Sequence, residues 1–289
     1  MPLICFASPV GGTGRTTLSA NVAREFARSG QRVIALDMDP QNALGMHFGL
    51  DLRDAFGFLA TLRYASDPAT AWRAGLRASP SGVSFLPYGQ VGLDGAVSVA
   101  TGLAERADLI GAALQDMLAH SGVIIVADLP QGPCSALSAV LLHADLVVVP
   151  LLPVPAHAAQ LPGILAGRFA GSLPAERLGF VVNQWGMPGS LSTLIGEGMI
   201  THLGERVLGV IRHDDAVPEA CAAQRLVTDM APHAVASDDI VQLAASILQV
   251  ARDISRGARP HPSLVLPAFA SLADPSALTR PHVAQDTSR

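Results

Sequence analysis

Short apolar runs rich in β-branched residues alternate along the chain with longer stretches in which apolar residues recur every three or four positions. Such runs are typical of strands, and such stretches are typical of helices. We predict strands at Leu3–Ala7, Val33–Asp37, Val83–Pro87, Val123–Asp128, Leu146–Leu151, Leu178–Val182 and Val207–Ile211. We predict helices at Thr16–Ser29, with Gly30 just past its end, and at Leu103–Ala119, Ser135–His143 and Asp239–Ile254. This alternation predicts an α/β fold with a mostly parallel twisted sheet of about seven or eight strands and helices on both faces.

The pattern stops near residue 256. The sequence after this point contains five prolines, which exclude a regular helix or strand: Pro260, Pro262, Pro267, Pro275 and Pro281. We therefore predict one domain over residues 1–256 and a flexible, proline-rich tail over residues 257–289. Docking of the apolar tail residues on the domain or on a partner stays open; these are Leu264, Val265, Leu266 and Phe269.

A glycine-rich segment follows the first predicted strand and leads directly into the first predicted helix. Glycines let successive backbone N–H groups turn toward one anion, and the helix start adds unpaired donors and the positive end of its dipole. In such P-loops a hydroxyl at the place of Thr16 reaches Mg²⁺, and the residue at the place of Arg15 spans the β and γ phosphates. The order of these features favours a nucleotide-binding P-loop over a structural glycine turn. Its predicted binding residues are Gly11, Gly12, Thr13, Gly14, Arg15, Thr16 and Thr17.

Three aspartates follow predicted strands of the same sheet. Asp37 and Asp39 lie at the end of the second strand, and Asp128 ends the strand Val123–Asp128. Ligands of open parallel sheets bind at the carboxyl ends of the strands, so we expect these acids beside the glycine loop. A single acid after a strand is commonly a turn or helix cap. Three of them beside a phosphate loop favour magnesium binding and the positioning of water.

The glycine loop, the segment Asp37-x-Asp39-Pro40-Gln41 and the pair Asp128-x-Pro130 resemble the deviant-Walker P-loop ATPases of the MinD and ParA group. The resemblance covers about residues 1–255 and implies ATP and Mg²⁺ as cofactors. It implies that Asp39 orients the attacking water, that Thr16 binds the metal, and that Asp128 acts on the metal through water. Asp37 would support the metal shell.

The same resemblance implies residues around the base. Asn183, expected directly after the strand Leu178–Val182, matches the asparagine that reads the adenine edge in this group, and a plain turn role for it stays open. Arg212 and His213 fall in the loop that flanks the base.

Val10 departs from the pattern of the group. Members of the group have a signature lysine at this position, which reaches across a dimer to the phosphates bound by the partner. Arg15 also replaces a lysine, but the chain has nineteen Arg and no Lys, and arginine keeps the charge. Val10 removes the charge, and a cation delivered across an interface to a transferring phosphoryl group is worth about a thousandfold or more in rate. We therefore expect an ATP-linked homodimer with weak or no hydrolysis.

Composition narrows the class of protein. The formal net charge is -5, and the arginines are scattered, which argues against a DNA-binding surface. No uncharged apolar run of eighteen residues and no signal peptide is found in the sequence, so we expect a cytoplasmic protein without direct membrane insertion. Three cysteines and nine histidines show no spacing typical of disulfides or zinc.

Three roles remain within the group. A partitioning ATPase needs basic patches, and a MinD-like membrane switch needs a basic amphipathic helix at its carboxyl terminus, so both are disfavoured. The segments Trp72–Arg77, Phe85–Gln90, Ile211–Ala216 and Glu219–Cys221 are similar to the BcsQ family, the MinD-like proteins encoded with bacterial cellulose synthase. That resemblance implies an assembly or regulatory subunit whose partners are the small regulatory subunit and the cytosolic parts of the synthase. Recruitment to the inner membrane would then go through those partners.

Overall fold

The sheet of this protein has eight strands, as seen in a computed structural model that describes residues 2–257 apart from positions 52, 63, 64, 68, 91, 106, 133, 172 and 187–189. The predicted tail beyond residue 257 lies outside the described residues. The strands are β1 Leu3–Phe6, β2 Arg32–Asp37, β3 Arg77–Ala78, β4 Ser84–Leu86, β5 Val123–Asp128, β6 Leu146–Leu151, β7 Leu178–Trp185 and β8 Val207–Arg212. Their order is β3-β4-β2-β5-β1-β6-β7-β8, and the pairings are parallel except between β3 and β4.

The helices connect these strands in the manner of a doubly wound fold. They are α1 Arg15–Arg28, α2 Phe58–Leu62, α3 Trp72–Gly75, α4 Leu93–Glu105, α5 Ala107–Ala119, α6 Ser135–Leu141, α7 Pro155–Ala158, α8 Leu161–Leu165, α9 Ser190–Leu203, α10 Ala216–Ala222, α11 Val227–Met230 and α12 Val235–Ser255. A 3-10 turn, Leu44–Phe48, follows β2. None of the described helices combines the length and the apolar character that a membrane crossing requires.

Each face of the sheet has its own hydrophobic core. Side chains of a strand alternate between faces, so Leu3 and Cys5 pack on one side of β1 while Ile4 and Phe6 pack on the other. Buried residues of α1 and α12 cover the second face, whereas those of α5 and α9 cover the first. Because both faces are covered, the central strands are apolar throughout, and this confirms the predicted α/β class.

Several predicted boundaries were wrong. The predicted helix Leu103–Ala119 covers the last residues of α4 and the whole of α5, and α12 begins at Val235, one turn before the predicted Asp239. Val97 of α4 is exposed, so the apolar residues of this helix do not all lie on a buried face, and their spacing did not indicate where the helix begins. The edge strand β3 was missed because two residues, Arg77 and Ala78, form no apolar run. Helix α9 was missed because its leucines and isoleucines do not keep to one side.

Candidate nucleotide-binding site

The glycine loop lies at the carboxyl end of β1, between β5 and β6, and enters α1 directly. Gly12 has φ +70° and Gly14 has φ +83°, left-handed values that a side chain rarely tolerates. A Cβ at Gly14 would collide with the side-chain amide of Asn183, and one at Gly11 would lie 2.9 Å from Oε1 of Gln131. Glycine is therefore required both by the backbone conformation and by the close approach of neighbours.

Asp37 and Asp128 stand side by side at the ends of β2 and β5, where they are register partners. Burial, and then the neighbouring charge of Asp128, raise the pKa of Asp37 well above its usual range. Burial raises the pKa of Asp128 to about 7, although a hydrogen bond from the Thr16 side chain and the charge of Arg15 oppose this. Both carboxyls thus hold their protons more tightly than an exposed aspartate does, and a cation beside the start of α1 would favour their ionised form.

The two carboxyls differ in what they bond. Both oxygens of Asp37 accept backbone N–H groups, from Asp39 at 3.0 Å and from Leu44 at 3.0 Å, so Asp37 shapes the loop after β2. Oδ1 of Asp128 is buried and has no hydrogen-bond partner among the described residues. An orphaned buried carboxyl oxygen beside a threonine hydroxyl fits a hard cation such as Mg²⁺, which takes few protein ligands together with phosphate oxygens and water. No group of three or more acidic, histidine or cysteine side chains that could hold a metal occurs in the described part of the chain.

Arg15 directly follows Gly14 of the glycine loop and contacts Asp39. Arg15 Nη1 donates to the carbonyl oxygen of Leu129 at 2.7 Å, and its Nη2 lies 3.8 Å from Oδ2 of Asp39. Oδ1 of Asp39 accepts the N–H of Gln41 at 2.9 Å. The structure therefore joins the loop arginine to the acid that was predicted to orient water.

Asn183 lies inside β7, which continues to Trp185, so its predicted place after the strand was wrong. Its Nδ2 donates to the carbonyl oxygen of Thr13 at 2.8 Å, and its Oδ1 accepts the N–H of Gln184 at 3.0 Å. Asn183 thus supports the glycine loop directly. Reading of the adenine edge stays a prediction.

Arg212 and His213 lie at the same edge of the sheet, and their hydrogen bonds go to residues outside the glycine loop. Arg212 holds Asp239 through Nε at 2.9 Å and Nη2 at 2.6 Å, and its own N–H donates to the same carboxylate. The His213 N–H donates to the Trp185 carbonyl at 2.7 Å. Their predicted place beside the base stays a prediction.

Gln131 belongs to the site although the sequence analysis did not select it. Its Nε2 donates to the Pro9 carbonyl at 3.2 Å, and its oxygen packs against Gly11. Its position three residues after Asp128, at a strand's carboxyl end, was the signal that could have identified it. Burial, together with the charges of Asp37 and Asp39, raises the pKa of Tyr88 to about 12.

Val10 carries no charge at the loop entrance. Its N–H donates to Oγ of Ser8 at 3.3 Å, and its half-buried side chain packs against the core. The loop itself therefore presents no cation at this place.

Known proteins resemble this chain in sequence and in fold. An uncharacterized ATP-binding protein of Methanocaldococcus jannaschii is 28% identical over 247 residues, which cover 85% of this chain and 87% of that protein. The cellulose biosynthesis protein BcsQ of Escherichia coli is 33% identical over 85 residues, which cover 29% of this chain and 32% of that protein. The septum site-determining protein MinD of Pyrococcus horikoshii, solved with Mg-ADP, superposes with a TM-score of 0.70 at 19% identity, covering 88% of this chain and 98% of that one.

The fold is therefore that of the MinD and ParA type of P-loop ATPase. The family model described as cellulose biosynthesis protein BcsQ matches residues 1–248, which is most of the described domain. With the P-loop, the paired aspartates and this match together, the chain belongs to the BcsQ family.

Proposed function

We propose that this protein binds ATP with Mg²⁺ in the glycine loop. The observation that carries the proposal is the orphaned, buried Oδ1 of Asp128 next to Thr16, at the point where the loop enters α1. Thr16 would coordinate the metal, Asp128 would hold a metal-bound water, and Asp37 would support both. Loop N–H groups would hold the phosphates. The similarity to an ATP-binding protein and to a MinD solved with Mg-ADP supports this choice of ligand.

ATP binding is expected to depend on Mg²⁺ in the wild type and much less in Thr16→Ala. Removal of the hydroxyl takes away one metal ligand and leaves the loop N–H groups in place, so affinity should fall about tenfold or more with Mg²⁺ and little without it. Calorimetry with and without Mg²⁺ measures both quantities. Thr201→Ala, which removes an exposed threonine hydroxyl on α9, is the control. Equal affinities of the wild type with and without the metal would contradict the assignment of Thr16 and Asp128.

We propose further that bound ATP joins two copies face to face through their glycine loops, with hydrolysis slow or absent. In this arrangement Asp39 positions the water, and Val10 supplies no charge to the partner's phosphates. The uncharged, core-packed side chain of Val10 supports slow turnover.

Light scattering is expected to give a monomer without nucleotide and a dimer with saturating Mg-ATP at tens of micromolar protein. The reason is that the triphosphates would form part of the interface. Saturating nucleotide should also raise the melting temperature, since a ligand at a hundred times its Kd adds about 2.7 kcal/mol. A monomer at saturating Mg-ATP would contradict the proposed dimer.

The proposed biological role is that of an assembly or regulatory subunit of the bacterial cellulose synthase secretion system. The family match over residues 1–248 supports it. Its partners would be the small regulatory subunit and the cytosolic parts of the synthase, which would recruit the protein from the cytoplasm to the inner membrane. The net charge of -5 with no lysine disfavours a partitioning ATPase.

Deletion of the gene is expected to lower cellulose output with little effect on chromosome inheritance.

The purified protein should show no detectable binding to random duplex DNA at physiological salt, with or without ATP, because its arginines are dispersed. Cellulose staining, loss rates of a marked replicon and filter binding measure the three quantities. Tight DNA binding with a steep salt dependence, or normal cellulose output with faulty inheritance, would instead support a partitioning role.

A further inference from the structure

A cavity of about 360 Å³ lies away from the glycine loop, where α1, the 3-10 turn Leu44–Phe48 and the start of α11 meet. Its volume falls in the range of small-molecule sites. Both polar and apolar side chains line it. The charged and titratable ones are Arg24, His47, Arg225 and Asp229, and the apolar ones include Phe48 and Leu226. No residue of the candidate nucleotide site is among the lining residues.

The charges in the cavity leave one arginine uncompensated. Arg24 Nε lies 2.9 and 3.0 Å from the two oxygens of Asp229, so these two charges neutralise each other. Arg225 is exposed and has no ion-pair partner in the part of the chain that the structure describes. The cavity is therefore cationic by about one charge, which favours an anionic ligand.

His47 adds an imidazole ring to the lining of the cavity. Its side chain lies in a residue that is 6% exposed, and its ring makes no hydrogen bond to any described residue. Burial lowers the pKa of His47 to about 4, so the ring is neutral at pH 7 and offers one N–H donor and one acceptor. The ring nitrogens of His47 are therefore free to bond to a ligand in the cavity.

Both walls of the cavity are connected to the nucleotide site. The 3-10 turn that carries His47 begins at Leu44, whose N–H donates to Oδ2 of Asp37 at 3.0 Å. On the other wall the N–H of Thr228 donates to Oδ1 of Asn21 at 3.3 Å.

Asn21 continues this second connection into the first turns of α1. Its Nδ2 donates to the carbonyl oxygen of Thr17 at 2.8 Å. A ligand that holds the two walls in place would therefore influence the conformation of the loop after β2 and of the start of α1 together.

We propose that this cavity binds a small molecule carrying a phosphate or carboxylate group, held by Arg225 and His47, with its apolar part against Phe48 and Leu226. Its occupancy changes nucleotide affinity at the glycine loop. The binding site stands independently of the proposed ATP site, and only the coupling rests on it.

The experiment titrates full-length protein, saturated with Mg-ADP so that the glycine loop is filled, with inorganic phosphate or with succinate at constant ionic strength. The melting temperature should rise saturably with at least one of the two anions. The rise should be lost, or need at least about fivefold more anion, in Arg225→Ala and in His47→Leu. Arg28→Ala, an exposed arginine one turn along α1 from Arg24, is the matched control and should behave as the wild type.

The two anions identify the chemistry: a response to phosphate alone assigns a phosphate ligand, and a response to succinate alone assigns a carboxylate. No saturable rise with either anion, or an equal rise in wild type and Arg225→Ala, would overturn the site. For the coupling, the dissociation rate of a fluorescent ADP should change about twofold or more when the anion is added, and an unchanged rate in a protein that binds the anion overturns it. If ADP itself fails to bind, the proposed function fails, while the comparison of wild type with Arg225→Ala still tests the cavity.

Discussion

Val10→Lys is expected to raise the rate of ATP hydrolysis by about a hundredfold or more while changing ATP affinity little. In the wild type, Arg15 is held by the Leu129 carbonyl and Asp39, and Val10 is apolar, so the loop presents no cation at its entrance. A lysine there would carry an ammonium on a flexible stem across the proposed interface. Cations delivered to a transferring phosphoryl group in this way are worth about a thousandfold or more, and most of the effect appears in the rate. Single-turnover and steady-state phosphate release measure it.

Two variants make this result specific. Val10→Leu keeps the apolar contact and should leave the rate unchanged. Val10→Lys combined with Asp39→Ala should return to the slow rate, because added charge is of no use when no water is positioned. An unchanged rate in Val10→Lys, with the ATP-linked dimer intact, would show that the interface differs from the proposed one or that Arg15 already supplies the charge.

Asp128→Asn is expected to make the nucleotide-free protein more stable at pH 8 and to abolish the Mg²⁺ dependence of ATP binding. Asp128 is buried beside Asp37, and its Oδ1 has no partner, so ionisation of the pair is unfavourable. An amide removes that charge and keeps the shape. The raised pKa of Asp128 corresponds nominally to a cost of about 4 kcal/mol for its ionisation in the folded protein. Because the surrounding structure relaxes around the charge, we expect Asp128→Asn to gain only roughly 1–2 kcal/mol of stability, or about 2–4 °C in melting temperature. Functional sites commonly carry such a cost in stability.

The pH dependence of the stability follows from the direction in which the pKa of Asp128 is shifted. A carboxyl whose pKa is higher in the folded protein holds its proton longer there, so folding is favoured at low pH and the stability falls as pH rises from about 4 to about 7. The gain of Asp128→Asn should therefore be small near pH 4, grow across this window and be constant above it. Scanning calorimetry from pH 4 to pH 8 without nucleotide measures this difference.

Asp37→Asn is the matched control, because Asp37 lies beside Asp128 and is also buried. Both of its oxygens accept backbone N–H groups, and an amide nitrogen cannot accept one, so near pH 4 this variant should be less stable than the wild type, and at pH 8 it should gain less stability than Asp128→Asn. A stabilising Asp37→Asn together with a destabilising Asp128→Asn would contradict the roles assigned to the two aspartates.

The strands and the glycine loop could be predicted because their causes are local. Six of the seven predicted strands begin and end within two residues of the observed ones, since continuous apolar runs are required wherever both faces of a sheet are covered. β7 is the exception: the polar residues Asn183 and Gln184 concealed its last three positions. Gly12 and Gly14 could be selected because a left-handed backbone needs glycine.

The meeting of the loop with Asp37 and Asp128 was also predictable. Parallel strands bring their carboxyl ends to one edge, so acids at the ends of β2 and β5 had to lie near the loop that follows β1. What each carboxyl bonds was not predictable. That Asp37 is satisfied by backbone N–H groups and Asp128 is not depends on the path of the loop from Asp39 to Leu44.

The sequence by itself therefore determined the α/β class, the phosphate loop and the edge of the sheet at which Asp37 and Asp128 lie. It also determined that Val10 stands where the related ATPases have a lysine. Only the tertiary structure decided the partners of the side chains around the loop: Asn183 with Thr13, Arg15 with Leu129 and Arg212 with Asp239. Only it formed the cavity lined by His47 and Arg225. The reason is physical: local patterns fix which residues form a strand or a turn, whereas these contacts join residues 27 to 170 positions apart and exist only once the sheet is assembled.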